Sequence, residues 1–223
     1  MSCRLLSRSH LRRLAWDRSG LAAVEFALAA PVLLGMFLAG AELTNYAVTK
    51  LRVSQAALHV ADNGSRIGTN SLLTAPQVSE TQINDLFVGA NLQAGNIDLA
   101  QHGRIIISSL EPMADPNTDN RFKIHWQRCF GAKSFTSSYG AQGDTDLTGM
   151  GPPDRRATAP EGGGVIFVEI AYDYQPLFSM GLAPSRVIHE IAAMTVRDDR
   201  DYNGPAPSHP GIYNNEGATP STC

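Results

Sequence analysis

LAAVEFALAAPVLLGMFLAGA, residues 21–41, carries a single charged side chain, Glu25. A helix needs about 20 consecutive apolar residues to cross a bilayer, so this stretch has the length of one membrane span. Before it lie Arg4, Arg8, Arg12, Arg13 and Arg18, with Asp17 the only acid. The positive-inside rule places that end in the cytoplasm. The residues after Glu42 are then expected outside it, in a bacterial chain in the periplasm.

The helix is expected to run on past the membrane. Leu43, Ala47, Leu51, Ser54, Leu58 and Ala61 recur at steps of three and four, which reads as a helical stripe. Neither Pro nor Gly interrupts it before Asn63-Gly64, a candidate C-cap. One helix from near Leu21 to near Asp62 would be roughly 60 Å long. Pro31 removes one backbone donor and should kink or loosen it locally.

Two readings fit the N-terminal region. In a secretory signal, Ala39-Gly40-Ala41 is the small-residue cleavage site and the apolar stretch is lost. In the other, the cut falls between Gly20 and Leu21 and the stretch stays as an anchor. Glu25 separates them. An acid in an apolar segment costs a few kcal/mol on insertion scales and is by default functional. A secretory signal has no use for it. After a cut at Gly20, Leu21 carries a new α-amino group one turn before Glu25. The two charges lower each other's cost, within one subunit or between neighbours. Glu25 also counts as first-turn, where the helix dipole favours an acid. The bland alternative is a protonated acid near the inner interface. For Glu42, at the outer edge of the span, a solvated interfacial acid is the plainer reading.

Arg18-Ser19-Gly20-Leu21-Ala22-Ala23-Val24-Glu25-Phe26-Ala27, followed by Pro31, resembles the opening of TadE-like proteins. These are minor pilins or pseudopilins of the tight-adherence (Tad) pilus system. The resemblance extends from Arg18 to about Gly68. It implies cleavage after Gly20 by a prepilin peptidase, with Leu21 as the new N-terminus. It implies an assembly role for Glu25, with Phe26 and Pro31 as part of the pattern. It also implies a place in Flp-type pilus biogenesis, adherence or biofilm formation. Membrane lipid, other Tad pilins and inner-membrane platform proteins are the implied partners. The related TadG-like proteins share this kind of anchor, so an uncleaved or secreted binding and adhesion module stays open as the alternative.

The chain is 43% hydrophobic and 17% charged, with a net charge of −3, which excludes a disordered or polytopic chain and disfavours nucleic-acid binding. The expected division is a basic leader over 1–20, a span over 21–41, a continuing helix over 42–68, a periplasmic domain over 69–197 and an irregular tail over 198–223. The fold class is α+β. Thr74–Gln77 and Ser79–Gln82 both fit a capping box ahead of a helix near 77–92, whose Ile83, Leu86, Phe87 and Ala90 share a face. Strand candidates are the run at Ile105–Ile107, then Arg121–Arg128, Val165–Tyr174 and Val187–Arg197. In the second, Phe122, Ile124 and Trp126 alternate with Lys123, His125 and Gln127. The expected product is a small antiparallel sheet packed on the amphipathic end of the long helix. The loop over 129–163, rich in Gly, Pro, Ser and Asp, has a length usually seen in functional or disordered segments.

Of the three cysteines, Cys3 lies on the reducing side of the expected membrane, and Cys129 and Cys223 on the oxidising side. A Cys129–Cys223 disulfide and two unrelated thiols both fit that split. The six histidines form no close pair of metal-ligand spacing, and His125 reads as solvent-facing. No catalytic residue, metal site or cofactor is expected, and the chain is not read as an enzyme.

Overall fold

The structure is a computed structural model that describes residues 20–68, 75–178, 181, 183–205 and 211–223. Residues 1–19 of the basic leader, Cys3 among them, and Thr74 of the first candidate capping box lie outside the described residues. Helix α1 runs unbroken over Leu21–Gly64 and stays helical through Pro31. Its most apolar eighteen-residue window has nothing buried against it and is long and apolar enough to cross a membrane. The second half leaves that isolation and packs on the rest of the chain.

The face that packs is not the expected stripe. Leu43, Ala47, Leu51 and Leu58 are exposed. Of the stripe only Ala61 is buried, and Thr49, Val53, Ala56, Ala57, Val60 and Gly64 form the rest of the packed face. The reason is fit rather than side-chain size. Small residues let the helix axis come close to the sheet, and a close-packed interface favours them over leucines that would hold it away. Gly64 marks the closest approach. A Cβ there would sit 3.1 Å from both Ile107 Cδ1 and Ile166 Cγ2. Gly64 is thus a packing contact inside the helix rather than its cap. The helix ends at Ser65, whose N–H donates to the Ala61 carbonyl.

Helix α2, Glu80–Ala94, starts at the second expected capping box. Ser79 Oγ accepts from the Gln82 N–H at 3.3 Å, and Gln82 Oε1 accepts from the Ser79 N–H at 3.0 Å. A short 3₁₀ turn and the four-residue helix α3, Leu99–His102, then lead into the sheet. Strands β1 (Gly103–Pro112), β2 (Phe122–Phe130), β3 (Val165–Asp173) and β4 (Val187–Thr195) form one antiparallel sheet in the order β2-β1-β3-β4. The fold is therefore α+β, with a long N-terminal helix against a small antiparallel sheet.

The faces of β3 and β4 follow their period of two. Ile166, Val168 and Ile170 meet Ile188 and Ala192 in the core under α1 and α2. Strand β2 departs from its pattern. Ser109 pairs with Trp126 but Leu110 pairs with Ile124, so the register shifts by one at His125. A bulge of this kind sends the residues on its two sides to opposite faces. Trp126 joins the helix-side core, while Phe122 and Ile124 face a second core with Met150 and Phe167.

That second core corrects the reading of the long loop, most of which is well tied into the fold. Met150 is fully buried, and Tyr139 meets the Phe167 ring edge-on at 5.4 Å. The loop also covers the edge of β2: the Phe122 N–H donates to Leu147 O at 2.8 Å and the Ile124 N–H to Asp144 O at 2.9 Å. An open strand edge invites pairing with other chains, and this segment closes one. The tail is irregular, as expected, yet held. The Cys129 N–H donates to Ser221 O at 2.8 Å, the Tyr213 N–H donates to Val78 O at 2.8 Å, and Ile212 is buried.

Candidate functional site

The residues singled out from the sequence gather at the free end of α1. Gly20 precedes the helix, and its carbonyl accepts the first bond, from the Val24 N–H at 3.1 Å. Leu21, Glu25, Phe26 and Pro31 are all exposed on this isolated apolar helix. Glu25 lies four positions after Leu21, so both project from one face, one turn apart. It is the fifth helical residue, and the first turn itself holds no acid. The direct dipole argument for Glu25 therefore weakens, while the spacing from Leu21 is kept. Phe26 is 71% exposed, with no side chain of the described domain against it.

A second site, which the sequence reading missed, lies where α1 leaves its apolar half. Glu42 is not solvated: it is fully buried. Its Oε1 accepts from the Tyr174 hydroxyl at 2.8 Å. Its Oε2 accepts from the N–H groups of Leu177 at 2.9 Å and Phe178 at 3.1 Å. Asn45 Nδ2 donates to the Tyr174 oxygen at 2.7 Å, and the Tyr46 ring meets the Tyr174 ring edge-on at 5.1 Å. One carboxylate thus ties the end of β3 and the turn after it to the helix. A buried carboxylate is tolerated only with such a set of donors. Tyr174 lies 132 residues from Glu42, so no local spacing in the sequence could reveal the pairing.

Burial pushes the Tyr174 hydroxyl up to about 12, with its bond to Glu42 adding to the rise. Burial likewise pushes Tyr202 up to about 12. Both phenols are held neutral in the fold, and an unfolded tyrosine ionises near 10. Stability from these groups is complete below pH 10 and is lost as pH rises from 10 through 12. Thermal unfolding followed across that window should show a falling Tm, and Tyr174→Phe should flatten the fall. A Tm unchanged between pH 10 and 12 would contradict the buried hydroxyls.

The paired cysteines are joined: Cys129 and Cys223 form a disulfide with Cα atoms 4.9 Å apart. His125 is not solvent-facing, because its Nδ1 lies 2.7 Å from Oε2 of the buried Glu111. His189 and Glu190 point to opposite faces of β4, His189 toward Glu169 and Glu190 toward Lys50 on α1. Among the described residues no three metal-ligating side chains converge.

Residues 20–62 match the family model described as TadE-like protein. No curated protein and no solved structure matches the chain. The match coincides with α1 and ends before the sheet, so it bears on that helix and on Glu25.

Proposed function

We propose that this chain is an assembly component of a Tad (Flp-type) pilus, a minor pilin or pseudopilin. A single span holds it in the bacterial inner membrane, with its N-terminus cytoplasmic and its domain periplasmic. A prepilin peptidase removes the basic leader after Gly20. The observation that carries this reading is the unbroken helix that begins at Leu21, apolar and uncovered through its first half, with Glu25 one turn in. The same residues match the TadE-like family.

The energetics explain why one acid is kept there. A lone charge in the apolar span costs roughly 3 kcal/mol on insertion scales. An opposite charge about 4 Å away returns about 4 kcal/mol at an effective dielectric of 20. The new amine at Leu21 of a neighbouring subunit supplies that charge, so the carboxylate favours the assembled state over the isolated span. The other Tad pilins and the inner-membrane platform are its partners on this reading.

Replacing Glu25 by Ala leaves leader cleavage intact and reduces the protein in sheared pili, or piliation itself, by about tenfold or more, since each 1.4 kcal/mol is a factor of ten. Immunoblots of sheared and membrane fractions measure it. Normal piliation with normal incorporation would overturn the pairing role.

A further inference from the structure

We propose that the turn after β3, residues 175–178, is a lipid contact in which Leu177 enters the outer edge of the bilayer beside α1. The proposal rests on the single-span reading above. An open groove at this point is lined by Met36, Phe37, Gly40 and Ala41 of α1 and by Leu177. From Leu21 to Phe37 a helix rises about 24 Å, and a hydrocarbon core is about 30 Å thick. A span that starts at Leu21 therefore has Phe37 still within the hydrocarbon, and Leu177 beside it near the boundary. Leu177 is 57% exposed, Met36 69% and Phe37 72%, so no part of the described domain covers them. Thr44, Asn45 and Val48 complete the groove, which has no charged side chain in its lining.

The backbone of the turn is built for a dry surrounding. Irregular backbone is tolerated at membrane depth only when its polar groups are satisfied within the protein. Pro176 has no N–H to satisfy. The next two, of Leu177 and Phe178, both donate to Glu42 Oε2. Three successive residues thus offer no free donor to the bilayer. With both amides taken by one buried carboxylate, the turn can meet lipid without exposing a polar backbone donor. Glu42 thus holds Leu177 against the helix at this level.

The test uses the full chain in vesicles of phosphatidylethanolamine and phosphatidylglycerol. A nitroxide is attached at Leu177→Cys, at Phe37→Cys as the lipid reference, or at Leu92→Cys, 75% exposed on α2, as the water reference. Each carries Cys3→Ser, and the disulfide is kept. Spin-label relaxation by oxygen, which favours lipid, is compared with relaxation by a water-soluble nickel chelate. The oxygen-to-nickel ratio at Leu177 should match Phe37 and exceed Leu92 several-fold. A Leu177 ratio like that of Leu92, with Phe37 in lipid, overturns the contact and leaves the anchor standing. Water-like ratios at both Leu177 and Phe37 overturn the anchor as well. Shielding of Leu177 from both reagents means that protein, such as a second copy of α1, covers the turn, and also overturns the proposal.

Discussion

Cys223→Ser lowers the stability of the domain by about 4–5 kcal/mol, the loop-closure entropy returned to the unfolded chain when a link across 94 residues is removed. For a domain of this size that corresponds to a drop in Tm on the order of 10–20 °C. The native contacts themselves are largely kept, because the tail is also held by backbone bonds to Val78, Glu80 and Cys129. Those bonds keep the tail in register for the disulfide and persist in the reduced fold. Unfolding of the unchanged protein after reduction of the disulfide should give the same Tm as Cys223→Ser. A drop below about 1 kcal/mol in both would mean that the link does not close a long loop in the unfolded chain.

Arg128→Ala costs about 3–5 kcal/mol, the usual penalty for leaving one member of a buried ion pair alone. Arg128 on β2 is nearly buried, and so is Glu80, the first residue of α2. Arg128 Nε donates to Glu80 Oε1 at 3.1 Å and Oε2 at 2.9 Å, and Nη2 makes a further, shorter bond to Oε1. The fork also reaches the Gln127 carbonyl and Gln142 of the long loop. One guanidinium thus joins sheet, helix and loop next to Cys129. The dipole of α2 offsets only part of the unpaired Glu80, at roughly 0.3–1 kcal/mol. The double change Glu80→Gln with Arg128→Met removes both charges and should recover most of the loss. Denaturant unfolding of the three variants tests this. A cost under about 1 kcal/mol for Arg128→Ala would place the pair with exposed ones such as Arg66–Asp62.

Much of the fold was legible because it is local. The span, the Ser79 capping box and the alternation of β3 and β4 each depend on residues within a few positions of one another. The remainder depends on pairing across the chain. The bulge at His125 exists only in register with β1, so the uniform alternation of Phe122, Ile124 and Trp126 hid a change of face. The buried side of α1 was misread because apolar size was weighed above fit; alanines and Gly64 meet the sheet while Leu43, Leu51 and Leu58 stay outside. The loop over 129–163 looked free because its composition is polar, although Met150 and Tyr139 anchor it on the sheet. Glu25 was visible as an acid in an apolar run. Glu42 was visible too, but its partners lie in a turn more than a hundred residues later.

Both the anchor and the Glu25 pairing require that α1 survive in the mature protein with its N-terminus at Leu21. N-terminal sequencing of the protein extracted from membranes answers this directly. A sequence beginning Leu-Ala-Ala-Val-Glu is the expected result. A start at Glu42 would mean that the apolar helix had been shed, and would contradict both the anchor and the role of Glu25.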